Sequence, residues 1–275
     1  MSAVALALVA AAAVMHVGWN TLAKRATDRV LFLWMAMALP AILLAPWALS
    51  REHISALAEW PVAATATIHV FYFTALGRAY SHGDLSQVYP ISRGLSVALV
   101  TAGAWLILDE PLPPIGVAGI ALVLAGVLSV GIDRRAARPA VMWAVITGLL
   151  VTSYSLVDKV GVSRVDPVFY VTCIGAGSSL LLSPWVIHRR RALAAEWRTS
   201  WRSILAAAAL GLTAYLLVLF AFSLSKAAYV VASRELSIVA SVVIGRVALG
   251  EAPSRQRVIG AVLIAAGVAV LAVAG

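Results

Sequence analysis

Apolar residues along this chain come in long runs, and the short stretches between the runs collect nearly all of its Arg, Lys, Asp and Glu. A hydrocarbon core of about 30 Å and a helical rise of about 1.5 Å per residue require roughly 20 apolar residues per crossing. On that measure the pattern predicts ten helices, at 3–22, 30–49, 62–80, 86–108, 115–132, 140–157, 167–187, 203–224, 228–249 and 258–274. Transmembrane strands alternate in polarity and these runs do not, so strands are not expected. Gly and Pro interrupt several runs, as helices in lipid tolerate. Met1 to Met15 looks like the apolar core of a signal peptide, but no basic residue precedes it and many runs follow. It is read as the first helix.

Composition narrows the class. AVILMFWYC residues make up 62% of the 275 positions and charged residues only 12%, against about 25% charged in ordinary soluble domains. Mean hydropathy is +0.96. Such a chain has too little polar surface to cover a water-soluble fold, which excludes a soluble enzyme, a disordered protein and a single-anchor receptor. The expected class is an all-α, polytopic integral membrane protein whose first partner is the lipid bilayer.

The net charge of +9 does not point to nucleic acid. Basic residues sit in loops, as in His188-Arg189-Arg190-Arg191, without interleaved aromatics on which bases could stack. Connections after odd-numbered helices hold fifteen Lys and Arg, counting Arg78 and Arg246 at helix ends, and those after even-numbered helices hold four. The positive-inside bias then places both termini outside. Cys173 is the one cysteine, so neither an internal disulfide nor a thiol-rich metal site is available, and it reads as packing. Metalloprotease, nucleophile-elbow and phosphate-loop motifs are absent. The chain is read as not an enzyme, with no cofactor and no metal.

The two halves repeat. A shift of 141 positions matches Ser92/Ser233, Arg93/Arg234, Leu95/Leu236, Ser96/Ser237, Leu108/Leu249, Glu110/Glu251, Gly119/Gly260 and Ala125-Gly126-Val127/Ala266-Gly267-Val268. Earlier, Leu43-Leu44-Ala45-Pro46-Trp47 echoes Leu181-Leu182-Ser183-Pro184-Trp185, Lys24 echoes Lys159, and Trp19 stands opposite Tyr154. The division predicts repeats at 1–135 and 136–275. Five helices is an odd number, so the second repeat enters the membrane inverted, the construction by which many secondary transporters build a site that faces either side in turn.

Polar residues within the runs mark the candidate site, because a charge deep in a bilayer costs at least about 2.5 kcal/mol and tends to face a cavity or a partner. Arg93 lies in the fourth helix, and Arg234 and Glu235 in the ninth. The arginines either snorkel or pair structurally, or bind an anionic group with their planar forks. Glu235 could reach another helix or carry a coupling proton. His16, Asn20 and Lys24 form a stripe on the first helix beside Trp19. Tyr154, Asp158 and Lys159 close the sixth, the last two either functional or interfacial. His69, Tyr72 and Tyr80 on the third helix, with Tyr215 and Phe222 on the eighth, are either packing or cavity walls. Glycines spaced by seven at Gly119/Gly126 and Gly260/Gly267 permit close helix approach. Glu110 and Glu251 are expected to cap the fifth and tenth helices.

Taken in order, His16-Val-Gly-Trp-Asn20 with Lys24-Arg25, Val88-Tyr-Pro-Ile-Ser-Arg-Gly94, Tyr154 to Asp158-Lys159-Val-Gly161 and Arg234-Glu235-Leu-Ser237 resemble the EamA family of the drug/metabolite transporter superfamily over essentially the whole chain. The resemblance implies a ten-helix inner-membrane carrier, often an exporter of amino acids or other metabolites, with a cavity lined by helices 1, 3, 4, 6, 8 and 9. It also implies cytoplasmic termini, against the loop count. Val97 stands where many relatives carry a helix-4 proline, with Ile238 at the equivalent place in the second half.

The expected function is secondary transport, with export the expected direction, of a small anionic or zwitterionic metabolite such as an amino acid. His16, Trp19, Asn20, Lys24, Tyr72, Arg93, Tyr154, Lys159, Tyr215, Arg234 and Glu235 are the expected substrate-binding residues. A coupling proton is among the expected partners, and the protein is either a monomer or a homodimer. The rivals are a proton-coupled exporter of lipophilic cations and a non-transporting scaffold or channel subunit.

Overall fold

The computed structural model describes residues 1–50, 55–82, 85–131, 138–249 and 254–274. Among them every regular element is helical: α1 (Ala3–Lys24), α2 (Arg29–Ala48), α3 (Trp60–His82), α4 (Leu85–Ile107), α5 (Pro114–Gly131), α6 (Arg138–Gly161), α7 (Pro167–His188), α8 (Arg190–Leu224), α9 (Ala227–Ser233), α10 (Leu236–Leu249) and α11 (Arg255–Ala274), with a 3₁₀ turn at Ser55–Ala58. Six of the described helices (α1, α2, α6, α7, α8 and α11) are long and apolar enough to cross a membrane. Ile91–Ile107 and Pro114–Ser129 are shorter apolar stretches within α4 and α5. Outward-facing positions are apolar too, Leu43, Ile107, Leu180 and Val273 among them, as lipid-facing helices require.

Helix starts follow local chemistry. Asp28 accepts a hydrogen bond from Leu31 N at 3.2 Å and opens α2. Asp166 accepts from Val168 N and Phe169 N at 2.9 and 3.0 Å and opens α7, with Pro167 at the first helical position. Both satisfy backbone donors that have no partner within the helix.

Four departures from the sequence expectation bear on the site. First, α8 begins at Arg190 and runs for 35 residues, where the sequence placed a loop before 203. Its polar first turns carry buried Glu196, which accepts from Asp28 N at 2.8 Å, and Arg189 pairs with Asp28 at 2.9 Å. Second, α6 continues to Gly161, which takes Asp158 and Lys159 into the helix. Third, the ninth crossing is two helices, α9 and α10. Hydrogen bonds from Glu235 N to Ala232 O, Ser237 N to Arg234 O and Ile238 N to Glu235 O, at 3.1, 3.1 and 2.9 Å, tighten the backbone to a 3₁₀ path between them. That irregularity lies at Arg234-Glu235, while α4 runs unbroken through Val97. Fourth, Glu110 does not open α5, which starts at Pro114; it accepts instead from Ala227 N at 2.7 Å, at the start of α9.

The helices pair between the two halves of the sequence: α1 with α8, α3 and α4 with α6, α2 with α7 and α8, α3 with α7, and α5 with α11. At the α5–α11 crossing the glycines let backbones touch. A Cβ on Gly126 would lie 2.7 Å from Gly260 O, and one on Gly267 would lie 2.7 Å from Gly119 O. Met1 donates its amino group to Leu271 O at 3.0 Å, so the chain's first residue and the end of α11 meet at one end of the bundle.

Candidate functional site

Between the helices lies a cavity of about 140 Å³, room for on the order of ten waters or one small solute. Its polar lining is contributed from many directions: His16 and Trp19 from α1, His69 and Tyr72 from α3, Arg93 from α4, Tyr154 from α6, Thr172 from α7, Tyr215 from α8, and Arg234 from the α9–α10 break. The rest is apolar. Leu33, Met37, Pro40, Ala41 and Leu44 of α2 form one wall, with Val171, Ile174 and Gly175 of α7. Sequence reasoning did not include α2 and α7 in the lining, because neither helix carries a charge within its apolar run.

The two arginines come together at the cavity but differ in their partners. Arg93 and Glu235 form a buried salt bridge, Nη2 to Oε1 at 2.6 Å, with the Arg93 Nε donating to the same oxygen at 2.9 Å. Arg234 is only 7% exposed, and its Nη1 has no hydrogen-bond partner among the described residues. Removing a charged group from water without a partner is costly, so the Arg234 Nη1 is open to donate to an acceptor brought into the cavity. Neighbouring positions in the repeated Ser-Arg-x-Leu-Ser segment are packed tightly, with Ser92, Ser96, Ser233 and Ser237 all buried.

Aromatic rings form another part of the wall. His69 stacks on Tyr154 with centroids 4.5 Å apart, and meets Tyr215 edge-on at 5.6 Å. Tyr72 meets Tyr154 at 5.3 Å, and His16 meets Trp19 at 4.9 Å. The His69 Nδ1 lies 2.9 Å from Thr65 O, an oxygen that can only accept. Nδ1 is therefore the donor in this bond.

Behind these rings lies Asp158, completely buried. Thr65 and Tyr170 donate to its Oδ1 at 2.6 and 3.0 Å, and Tyr215 donates to its Oδ2. The sequence left Asp158 as either functional or interfacial and omitted Thr65 and Tyr170 altogether. The available signal was Thr65 at i−4 from His69, which repeats the i, i+4 spacing of Tyr154 and Asp158.

The other expected residues fall elsewhere. Asn20 donates to His16 O at 2.8 Å and borders a side recess shared with His16, Tyr72 and Arg93. Lys159 points away from the cavity: its Nζ donates to Phe222 O and Ser225 O at 2.6 and 2.7 Å and pairs with Glu110 at 3.2 Å. Glu235 is taken up by Arg93. Phe222 is buried in the core. The side chains of Lys24 and Tyr80, and residue Glu251, lie outside the described residues. Among the described residues no cluster of His, Cys, Asp and Glu could hold a metal ion.

Comparison with known proteins agrees with this architecture. A solved crystal structure aligns over 98% of this chain and 96% of its own, with a TM-score of 0.70 at 19% identity, which shows a shared fold. No curated protein matches the chain in sequence. Residues 138–273 match the model of the EamA-like transporter family, consistent with the drug/metabolite transporter superfamily. With its apolar, membrane-length helices, the protein is therefore a multi-pass membrane transporter, and through its second half the chain belongs to the EamA-like transporter family.

Proposed function

We propose that the protein is a secondary carrier, working as an exporter in the inner (plasma) membrane, for a small anionic or zwitterionic metabolite such as an amino acid. The observation that carries this reading is Arg234: a buried guanidinium on the cavity wall with an unpartnered Nη1, while Arg93 is occupied by Glu235. A carboxylate would satisfy the Arg234 fork, and the apolar wall of α2 and α7 would take the rest of the solute. Of the residues expected from sequence to touch substrate, His16, Trp19, Tyr72, Tyr154, Tyr215 and Arg234 remain as contacts. Arg93 and Glu235 set the geometry of the site.

The cycle we propose is alternating access between inverted repeats 1–135 and 136–275. The helix pairing supports it. Exchanging each helix with its counterpart in the other half converts the α1–α8 contact into α6–α3, the α2–α8 contact into α7–α3, and leaves α2–α7 and α5–α11 in place. That is the pattern a two-fold axis would generate.

Uptake of labelled amino acids and organic acids into proteoliposomes tests the reading. Saturable uptake of at least one carboxylate supports it. Unaltered transport in the Arg93→Ala/Arg234→Ala variant, or transport of cationic dyes alone, contradicts it.

A further inference from the structure

Behind the cavity wall lies a second buried polar group, the Asp158 carboxyl with the hydroxyls of Thr65, Tyr170 and Tyr215. We propose that Asp158 binds and releases a proton during the transport cycle, so that the carrier is driven by protons; this rests on the carrier reading above.

Asp158 sits one turn beyond cavity-lining Tyr154 on α6 and is fully buried. Its hydrogen-bond donors are the three hydroxyls of Thr65, Tyr170 and Tyr215, all neutral. Among the described residues no Lys, Arg or His nitrogen lies within ion-pair distance of it. Lys159, its neighbour, is spent on Glu110 and two carbonyls. On the helices packed against α6, Arg93 is held by Glu235, Arg234 stands at the cavity, and His69 meets Asp158 through Thr65. A carboxyl so placed is burdensome as an anion and inexpensive as a neutral acid. Hydroxyls both donate and accept, so the same shell serves either form without moving a heavy atom.

A route to the cavity is built in. Tyr215 lines the cavity and its hydroxyl touches the Asp158 carboxyl. On release, the Oδ2–H bond of Asp158 breaks as its proton bonds to the Tyr215 oxygen. The proton that Tyr215 already carried passes to a cavity water. Tyr215 ends neutral, Asp158 ends as a carboxylate, and the water carries the charge away; uptake runs in reverse. Glu235, the acid the sequence offered for this task, is instead committed to Arg93. The location suits coupling as well, because Lys159 ties the end of α8 to Glu110, and Glu110 ties the start of α9. A change of charge at Asp158 acts where α6, α8 and α9 meet.

The test reconstitutes the full chain and follows a labelled L-amino-acid and organic-acid mixture in two modes, accumulation driven by a pH gradient and counterflow exchange at equal pH. Wild type is expected to accumulate label under the gradient and to lose that accumulation with a protonophore. Asp158→Asn is expected to keep counterflow and lose gradient-driven accumulation; Tyr215→Phe is expected to slow it. Gradient-driven accumulation by Asp158→Asn, or wild-type counterflow with no response to the gradient, overturns the proposal while leaving the carrier reading intact. Absence of counterflow in wild type overturns the carrier reading instead. Infrared difference spectra between acid and alkaline buffer, recorded without substrate, then decide the proton site by themselves. A protonated-carboxyl band that titrates in wild type and is missing from Asp158→Asn supports it, and no such band overturns it. If Asp158→Asn does not fold, the wild-type gradient response and the wild-type spectra carry the decision.

Discussion

Arg93 on α4 and Glu235 at the α9–α10 break meet at 2.6 Å, bringing the first half of the chain to the second beside the cavity. Glu235 directly follows Arg234 in sequence but turns to the arginine of the other half, and this leaves Arg234 for the cavity. Break and bridge share Glu235: the 3₁₀ tightening that separates α9 from α10 occurs at Arg234-Glu235.

Breaking that bridge from one side strands a buried charge. Glu235→Gln or Arg93→Gln is expected to lower stability by about 3–5 kcal/mol, whereas an apolar replacement of both partners recovers much of the loss. Thermal unfolding in detergent compares the single and double variants, and equal losses in all of them would contradict the assignment.

Glycine positions give a contrast that involves no charge. A methyl group on Gly126 or Gly267 runs into the opposing backbone at 2.7 Å, whereas one on Gly211, at the cavity, meets nothing within 4 Å. Gly126→Ala and Gly267→Ala are each expected to cost about 1–3 kcal/mol through overpacking, and Gly211→Ala to be tolerated in folding. Melting temperatures of the three variants check the order.

Glu110 and Lys159 form an exchange between halves at one end of the bundle. Their double-mutant cycle, Glu110→Gln with Lys159→Met, is expected to show a coupling of about 1 kcal/mol. Glu110→Gln alone should cost more than the pair energy, because the carboxylate also accepts from Ala227 N at the head of α9. Additive losses would place the two residues in independent roles.

The helical, membrane-crossing character of the chain was legible from run length alone, since only a helix satisfies its own backbone in lipid. The cavity's arginines and several of its aromatics were legible too, because charge inside an apolar run has few places to go. Three things were not. The pairing of Glu235 with Arg93 depends on how two helices distant in sequence are rotated, which no local spacing records. The apolar wall from α2 and α7 carries no polar mark to separate cavity from lipid. Asp158 resembled an interfacial charge because Lys159 follows it, and only the continuation of α6 to Gly161 brings it inside. The same proximity to a helix end made Lys159 look like a cavity cation, whereas its nitrogen closes the end of α8.

The most direct test of the account is the concentration dependence of counterflow for a transported carboxylate in wild-type, Arg234→Lys and Arg234→Gln proteoliposomes. Losing one charged hydrogen-bonding partner is worth about 1.5–3 kcal/mol, so Arg234→Gln is expected to raise the half-saturating concentration by roughly 10- to 100-fold, with Arg234→Lys between the two because it keeps the charge but loses the fork. A half-saturating concentration in Arg234→Gln equal to that of wild type would remove Arg234 from the substrate site and contradict the account.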